Sequence, residues 1–357
     1  MGFLAKIGKA GVVAYTASAL VPLSKSDAWW IRIWDFPRLQ LLVLGLALGF
    51  IYLWSTKDTP NRRVLFASLL VIGAGLDLYR TLPYSRVWRV ESLPPKSHAP
   101  ERQFSLFIAN VLQENTQAEK LLRLIAKKSP DLILLVEVNE RWLTALAALD
   151  NDYRFHLKKP QENEYGIAFY SRLPLEAAEI RYLIEPTIPS VWARVVLRSG
   201  EKIEVFGLHP RPPRQQAGPT TERDAELVQT ADFARRSPHP VLVFGDLNDV
   251  AWSHTTRLFR RISGLLDPRV GRGSYPTFPA QFPFLRFPLD YVFHSQSLRL
   301  VAIERLGEIG SDHFPMYAAF SFEPSGRISQ SGPSTDKGDR EEVRDTIGKA
   351  RERNADP

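Results

Sequence analysis

With 357 residues, 24% of them charged and 11% aromatic, the chain has the composition of a folded protein with room for one large domain or two modest ones. The absence of cysteine excludes a disulfide framework, a zinc–cysteine site, an iron–sulfur cluster and a thiol nucleophile. The net charge of +7 is local: residues 1–99 hold 12 Lys and Arg against 5 Asp and Glu, residues 100–322 hold 27 against 26, and residues 323–357 hold 7 against 8. The excess sits beside N-terminal apolar runs, where it would face lipid headgroups, and is weak ground for a nucleic-acid partner.

Two apolar runs, 39–54 and 64–78, stand at the short end of the ~17–25 residues a membrane-spanning helix needs. Tyr52, Trp54, Tyr79 and Tyr84 flank them as interfacial anchors, and Lys57, Arg62, Arg63 and Arg80 are placed to snorkel. The competing reading is a pair of buried core helices. Tandem runs joined by a short polar link and carrying Gly45, Gly49, Gly73 and Gly75 favour a helical hairpin in a bilayer. A weaker third run, 11–23, precedes Trp29, Trp30 and Trp34 instead of a small-residue cleavage site. It reads as an uncleaved helix that spans or lies in the interface. Residues 1–80 are thus expected to be an anchor of two or three helices, multi-pass in the cell membrane. Cations flank the three runs too evenly (three, three and four) to orient it. Residues 81–101, with Pro83, Pro94, Pro95 and Pro100, read as a stiff extended linker.

From Arg102 the pattern changes to short apolar runs rich in β-branched and aromatic residues: 104–111, 130–138, 165–171, 190–197, 201–209, 240–248, 288–295 and 315–322. Between them, 116–128 and 221–235 place Leu or Ala at helical spacing opposite charges. This alternation predicts a layered α/β domain over 102–322. Beyond Phe322 the apolar content collapses, and 323–357 reads as a solvated, disordered tail.

The chemistry-bearing residues share one position. Each ends an apolar strand, where a side chain is held firmly yet reaches solvent: Asn110, Glu137, His209, Asp246 with Asn248, Asp290, and Asp312 with His313. In GDLND, Gly245 permits a sharp turn, and one intervening residue puts Asp246 and Asn248 on the same side. An Asx turn is the plain alternative there. Glu137 after five apolar residues is costly unless solvated, paired or on a metal, and with Asn110 it offers oxygen donors that suit Mg²⁺. Asp312 neighbours His313 in sequence and so faces away from it on a strand, which leaves Asp290 as its natural partner. His98 falls in the linker, and His156, His239, His254 and His294 read as ordinary loop or surface positions. No G-x-S-x-G elbow, P-loop, H-E-x-x-H or dinucleotide fingerprint is present.

In this order Asn110, Glu137, YGIAFYSRLPL at 165–175, LHP at 208–210, GDLND at 245–249, LDYVF at 289–293 and SDHFP at 311–315 resemble the endonuclease/exonuclease/phosphatase superfamily, which includes deoxyribonuclease-like nucleases, inositol-polyphosphate phosphatases and bacterial sphingomyelinases. DFPRLQ at 35–40, HPRPP at 209–213 and GRGSYPTFP at 271–279, with the N-terminal spans, look like its bacterial membrane-anchored branch. The resemblance implies a four-layer α/β sandwich of two packed mixed sheets flanked by helices, and a Mg²⁺ site (Mn²⁺ or Ca²⁺ as substitutes) at Glu137 and Asn110, with Asp312 supporting a second metal or the water. It further implies that Asp246 orients or deprotonates the attacking water, that Asn248 and His209 face the phosphate, and that His313, paired with Asp290, stabilises the transition-state charge or protonates the leaving group. Two positions depart from the family pattern: Leu112 replaces a frequent second Asn or Asp, and Val136 a frequent Gln.

The expected activity is metal-dependent hydrolysis of a phosphate ester at a membrane, with a lipid headgroup, nucleotide or nucleic acid as substrate. A nuclease is the alternative, for which Arg257, Arg260, Arg261, Arg269 and Arg272 would supply a basic stripe. A non-catalytic membrane scaffold is the second alternative.

Overall fold

The computed structural model describes residues 2–213 and 218–355. The chain begins with helices α1 (Gly2–Leu20), α2 (Trp29–Arg32), α3 (Arg38–Ser55) and α4 (Pro60–Thr81). Three segments, Gly2–Ser24, Arg38–Ser55 and Pro60–Tyr84, are long and apolar enough to cross a membrane. The first starts well before the expected residue 11. Lys6 and Lys9 hide its opening turns from hydropathy, and Lys9 is paired with Asp58 at 2.6 Å. Glycine lets the three helices approach closely: a Cβ on Gly45 would run into the Tyr15 ring, and one on Gly49 into Leu70. Outward residues such as Val43 and Phe50, 69% and 70% exposed, leave an apolar face toward the surroundings.

At one end of these helices lies a buried ionic knot. The Arg38 guanidinium donates to Asp35 and to Asp77, each at 2.6 Å, and Arg80 adds a 3.3 Å contact to Asp35. The same segment is bolted to the domain that follows: Trp252 Nε1 donates to the Asp35 carbonyl at 2.6 Å, and Arg32 pairs with Asp224 at 3.4 Å.

The domain is built from β1 (Gln103–Asn110), β2 (Leu132–Val136), β3 (Phe155–Lys159), β4 (Ile167–Ser171), β5 (Leu175–Arg181), β6 (Ser190–Val196), β7 (Lys202–Leu208), β8 (Val241–Asp246), β9 (Asp290–His294), β10 (Leu298–Arg305) and β11 (Met316–Phe322). They form a six-stranded sheet, β10-β11-β1-β2-β4-β3, and a five-stranded sheet, β5-β6-β7-β8-β9. Each is mixed, with β1–β2 and β7–β8 parallel. The two sheets face each other across a core containing Leu106, Ile108, Leu134, Val136, Phe169, Val205, Leu242 and Phe244. The outer faces are covered by α5 (Ala118–Lys128), α6 (Glu140–Ala145) and α7 (Leu149–Asp152) on one side and by α8 (Thr221–Arg236) and α9 (His254–Ser263) on the other. Central strands buried on both faces read as continuous apolar runs, which is why they were visible in the sequence. The four-layer sandwich expected from the sequence is the architecture found.

Three strands, β3, β5 and β10, escape the apolar-run criterion. All are sheet edges, and their sequences FHLKK, LEAAEIR and LRLVAIER carry the charges that protect an edge from further pairing. The segment expected to be a stiff extended linker, 81–101, runs as a strap along the body. Tyr84 donates to the Ala251 carbonyl, Glu91 accepts from Arg260 at 2.6 Å, and Leu93 accepts from the Leu300 N–H. Ser92 bonds His294 at 2.6 Å, so His294 is no surface residue: it is fully buried, and that burial pushes its imidazole down to about 4. Pro83 and Pro100 lie in short 3-10 turns at the two ends of the strap, and the domain supplies hydrogen bonds to the residues between.

The tail is also corrected. Residues 323–357 contain α10 (Gly326–Ser329) and α11 (Asp339–Ala355), the latter packed on α8 with Val343 and Ala350 buried. Ion pairs hold it, Arg261 to Asp339 at 2.8 Å and Arg353 to Glu222 at 2.8 Å, with His254 against Glu342. Its apolar stripe is short, Val343, Ile347 and Ala350, and is set among charged residues.

Arg38→Met leaves buried Asp77 without its closest counter-ion and Asp35 with only the 3.3 Å contact to Arg80, and is expected to cost about 3–5 kcal/mol. Thermal unfolding of the detergent-solubilised chain measures this, and a loss below about 1 kcal/mol, the scale of an exposed pair, would contradict the buried knot.

Candidate active site

Strand register decides which side chains meet. Asn110 pairs with Val136 across the parallel β1–β2 ladder, so Glu137 emerges one residue beyond Asn110 at the same sheet end. On the other sheet Leu208 pairs with Gly245 and Asp246 with Asp290, which brings His209, Asp246 and Asp290 to one level. Antiparallel β11 begins opposite Ile108, so the preceding Ser311–Asp312–His313 turn lies over Asn110, and Ser311 Oγ donates to the Asn110 carbonyl at 2.8 Å. The two sheets therefore deliver their polar ends to one mouth.

Seven of the eight residues singled out in the sequence, Asn110, Glu137, His209, Asp246, Asn248, Asp312 and His313, line a single cavity of about 500 Å³. The eighth, Asp290, lies behind His313 and accepts from its Nδ1 at 2.9 Å. Asp246 is the hub. Its Oδ2 accepts from Asn110 Nδ2 at 3.1 Å and stands 3.5 Å from His313 Nε2 and 3.8 Å from His209 Nε2. Its Oδ1 accepts the Asn248 N–H at 3.0 Å, so the Asx turn considered as an alternative is present and holds the carboxylate in place. Asn248 Nδ2 in turn donates to the Pro210 carbonyl at 3.0 Å.

Backbone conformation marks the same places. Glu137 and Asn248 have φ values of 64° and 51°, in the left-handed region that non-glycine residues seldom occupy. Strain of this kind persists only where the surroundings over-determine it. At Gly245, φ 141°, a Cβ would collide with the Leu208 carbonyl, so the turn into Asp246 requires glycine.

Electrostatics divide the site into two halves. Burial opposes a charge on His313, but the carboxylates of Asp246 and Asp290 outweigh it and push the imidazole up to about 10. It is an imidazolium gripped between two buried acids. Across the cavity, burial pushes the Glu137 carboxyl up to about 7, against the hydrogen bond from Asn110. Its bonding partners are neutral, Asn110 Nδ2 at 2.7 Å and the Gln113 N–H at 3.3 Å.

A buried acid with neutral partners is what a hard cation would satisfy. Asn110 Oδ1 accepts only the Leu112 N–H at 3.0 Å among its described contacts and keeps a second lone pair, and Asp312 borders the same cavity. This donor set fits a divalent ion. Ligand atoms of Asp246, Asp290 and His313 also lie within 4.8 Å of one another. There, however, His313 in its charged form would offset one of the two carboxylate charges, and ligation by the ring would require it to lose a proton.

Sequence reasoning missed the apolar wall. Ile33, Trp34, Phe36 and Pro37, from the segment leading into α3, line the cavity together with Tyr165, Phe278, Phe287 and Leu289. Phe278 packs on His313 with ring centres 4.8 Å apart, and Tyr165 lies 5.7 Å from His209. The signal was present in DFPRLQ and GRGSYPTFP, which carry no titratable strand end. Four of the five arginines of the expected basic stripe are held by partners, and the fifth, Arg257, lies over the Tyr79 ring at 5.6 Å. Arg269 is buried on Asp267 at 2.7 Å, Arg260 on Glu91, Arg261 on Asp339, and Arg272 donates to the Ser92 carbonyl. Charges clustered in sequence have partners in space.

Two mixed sheets packed face to face, with acids and a histidine at one shared end, define a four-layer α/β sandwich with one polar site. Residues 107–313 match the model of the Endonuclease/Exonuclease/phosphatase family, and the chain belongs to that family. Its fold is similar to that of TDP2 from D. rerio, solved with a single-strand DNA product (18% identity, 61% of this chain and 99% of that one, TM-score 0.53). It is also similar to the human Nocturnin catalytic domain with bound sulfate anion (19%, 67% and 99%, 0.50) and to an endonuclease/exonuclease/phosphatase from Bacteroides vulgatus (15%, 62% and 99%, 0.51). No curated protein matches the sequence.

In the metal-free protein, ¹⁵N NMR of labelled histidine should find His313 still protonated at pH 8, with Asp290→Asn moving its titration down toward 6.5. A group raised in this way stabilises the fold fully below pH 6.5 and loses that contribution as pH rises through about 10. A neutral His313 at pH 7 would contradict the two-acid grip.

Proposed function

We propose that the chain is a membrane-anchored, divalent-metal-dependent hydrolase of phosphate esters, acting on a phosphodiester by in-line attack of water. One observation carries the reading: side chains from the ends of both sheets meet on one cavity, with His313 between Asp246 and Asp290.

Glu137 and the Asn110 carboxamide, with Asp312 beside them, would hold the ion, whose chemistry is to neutralise the charge that builds on the phosphoryl oxygens. Mg²⁺ is the metal this oxygen donor set favours, with Mn²⁺ or Ca²⁺ as substitutes. Asp246 accepts the proton of the attacking water as the new P–O bond forms, its carboxylate fixed by Asn110 and by the Asn248 N–H. His313 gives its Nε2 proton to the departing alkoxide as the old P–O bond breaks, and Asp290 keeps the ring oriented. His209 and Asn248 face the phosphate, where imidazole and carboxamide N–H groups stabilise an oxyanion.

Catalysis at a bilayer gains from tethering, which raises the local concentration of lipid substrate. The nuclease reading has less support, because three of the five arginines it would use, Arg260, Arg261 and Arg269, are paired with acids.

The test is turnover of bis(p-nitrophenyl) phosphate by the detergent-solubilised full chain with Mg²⁺ or Mn²⁺. Asp246→Ala and His313→Ala should each lower kcat by about 10²–10⁴, and EDTA should abolish it. Equal turnover in EDTA rejects the metal role. No turnover with either metal, for this diester, plasmid DNA or phospholipid, favours the scaffold reading.

A further inference from the structure

The wall that the anchor contributes to the cavity leads to a more specific substrate. Ile33, Trp34, Phe36 and Pro37 line the same space as Glu137, Asp246 and His313. Pro37 is followed directly by Arg38, the first residue of α3, a helix of 18 residues and about 27 Å at 1.5 Å per residue. The mouth of the active site therefore stands within a few residues of the point where this helix would enter the bilayer.

A second element meets it there. Residues 278–287 form a flap, FPAQFPFLRF, closed at its base by pairing of Phe278 with Phe287, both of whose rings line the cavity. Its tip is apolar and uncovered: Phe282, Phe284 and Leu285 are 61%, 88% and 51% exposed. Gln40, in the first turn of α3, donates to the Phe284 carbonyl at 3.2 Å, so the tip is level with the start of the helix. Trp30, Ile33 and Trp34, also exposed, continue the same rim on the anchor side. Aromatic and aliphatic side chains exposed beside the end of a bilayer-length helix fit the headgroup–acyl boundary, and a contiguous patch of this kind marks an interaction surface.

We propose that the active site opens onto the bilayer and that its substrate is a membrane phospholipid, whose phosphate reaches the polar floor while its apolar chains remain against Trp34, Phe36 and Phe287. This rests on the hydrolase reading above and names its substrate class. Water adds to the lipid phosphorus, the P–O bond to one alcohol breaks, and that oxygen leaves with the proton from His313. No other co-reactant is needed. A soluble diester or a nucleic acid would leave the apolar wall and flap tip unused.

The full chain is reconstituted in vesicles of phosphatidylethanolamine, phosphatidylglycerol and cardiolipin with Mg²⁺ or Mn²⁺, and release of headgroup or phosphate is measured beside turnover of bis(p-nitrophenyl) phosphate and plasmid DNA. The wild-type chain is expected to cleave at least one vesicle lipid. Phe282→Ser with Phe284→Ser, and separately Trp30→Ser, all outside the cavity lining, are expected to lower the ratio of lipid to soluble-diester turnover at least about tenfold. Turnover of the soluble diester reports in each case that the variant is folded. An unchanged ratio in both variants overturns the proposal, as does a wild-type chain that cleaves the soluble diester or DNA but none of the lipids. A chain inactive on all three with both metals would instead refute the underlying hydrolase reading.

Discussion

Buried negative charge at one end of the sandwich is the constraint on which the rest of the structure depends. Glu137, Asp246 and Asp290 all leave the core within reach of one cavity, and each would be prohibitive if left ionised alone in an apolar surrounding. His313 answers for two of them. Glu137, on the far side, has only neutral donors, and this imbalance is what a bound cation and an anionic substrate together would resolve. Strand register enforces the crowding. Slipping β8 by one residue would turn Asp246 into the packed interior and expose Gly245 in its place, at the cost of every apolar side chain on that strand.

The N-terminal helical segment is part of this domain's cavity. Its ionic knot, Asp35–Arg38–Asp77, lies beside the segment that walls the cavity. From Arg32 a chain of contacts runs through Asp224 to Arg223, whose guanidinium donates to the Asn248 carbonyl at 2.8 Å. Arg223 and Asp224 are both buried, so the loop carrying Asn248 is braced by the same charges that hold the helices to the body. The strap and the C-terminal helix add the outer fastenings, through Glu91, Ser92 and Asp339.

Much of this was legible before any coordinates. Buried central strands announce themselves as apolar runs, and the side chain that ends such a run is conspicuous because its polarity is out of place, as with Asn110, Glu137 and Asp246. The partnering of His313 with Asp290 and not with Asp312 was expected on strand alternation; the pairing is found, although 311–313 is a turn that precedes β11. What stayed hidden has a common cause, since its stabilisation comes from partners far away in sequence. β3, β5 and β10 carry edge charges, α11 is held by ion pairs, His294 is buried by a proline-rich strap, and the arginines of α9 and the following loop look free until Glu91, Asp267 and Asp339 are folded against them. The apolar wall from 33–37 was hidden for a further reason: its residues carry no chemistry of their own and matter only by position.

The most direct measurement is anomalous diffraction from crystals of the full chain grown with Mn²⁺. The account expects a manganese peak against Glu137 and Asn110, with Asp246 and His313 across the cavity and left free to act on water and leaving group. A peak seated between Asp246, Asp290 and His313, or a cavity without manganese at saturating concentration, would contradict it.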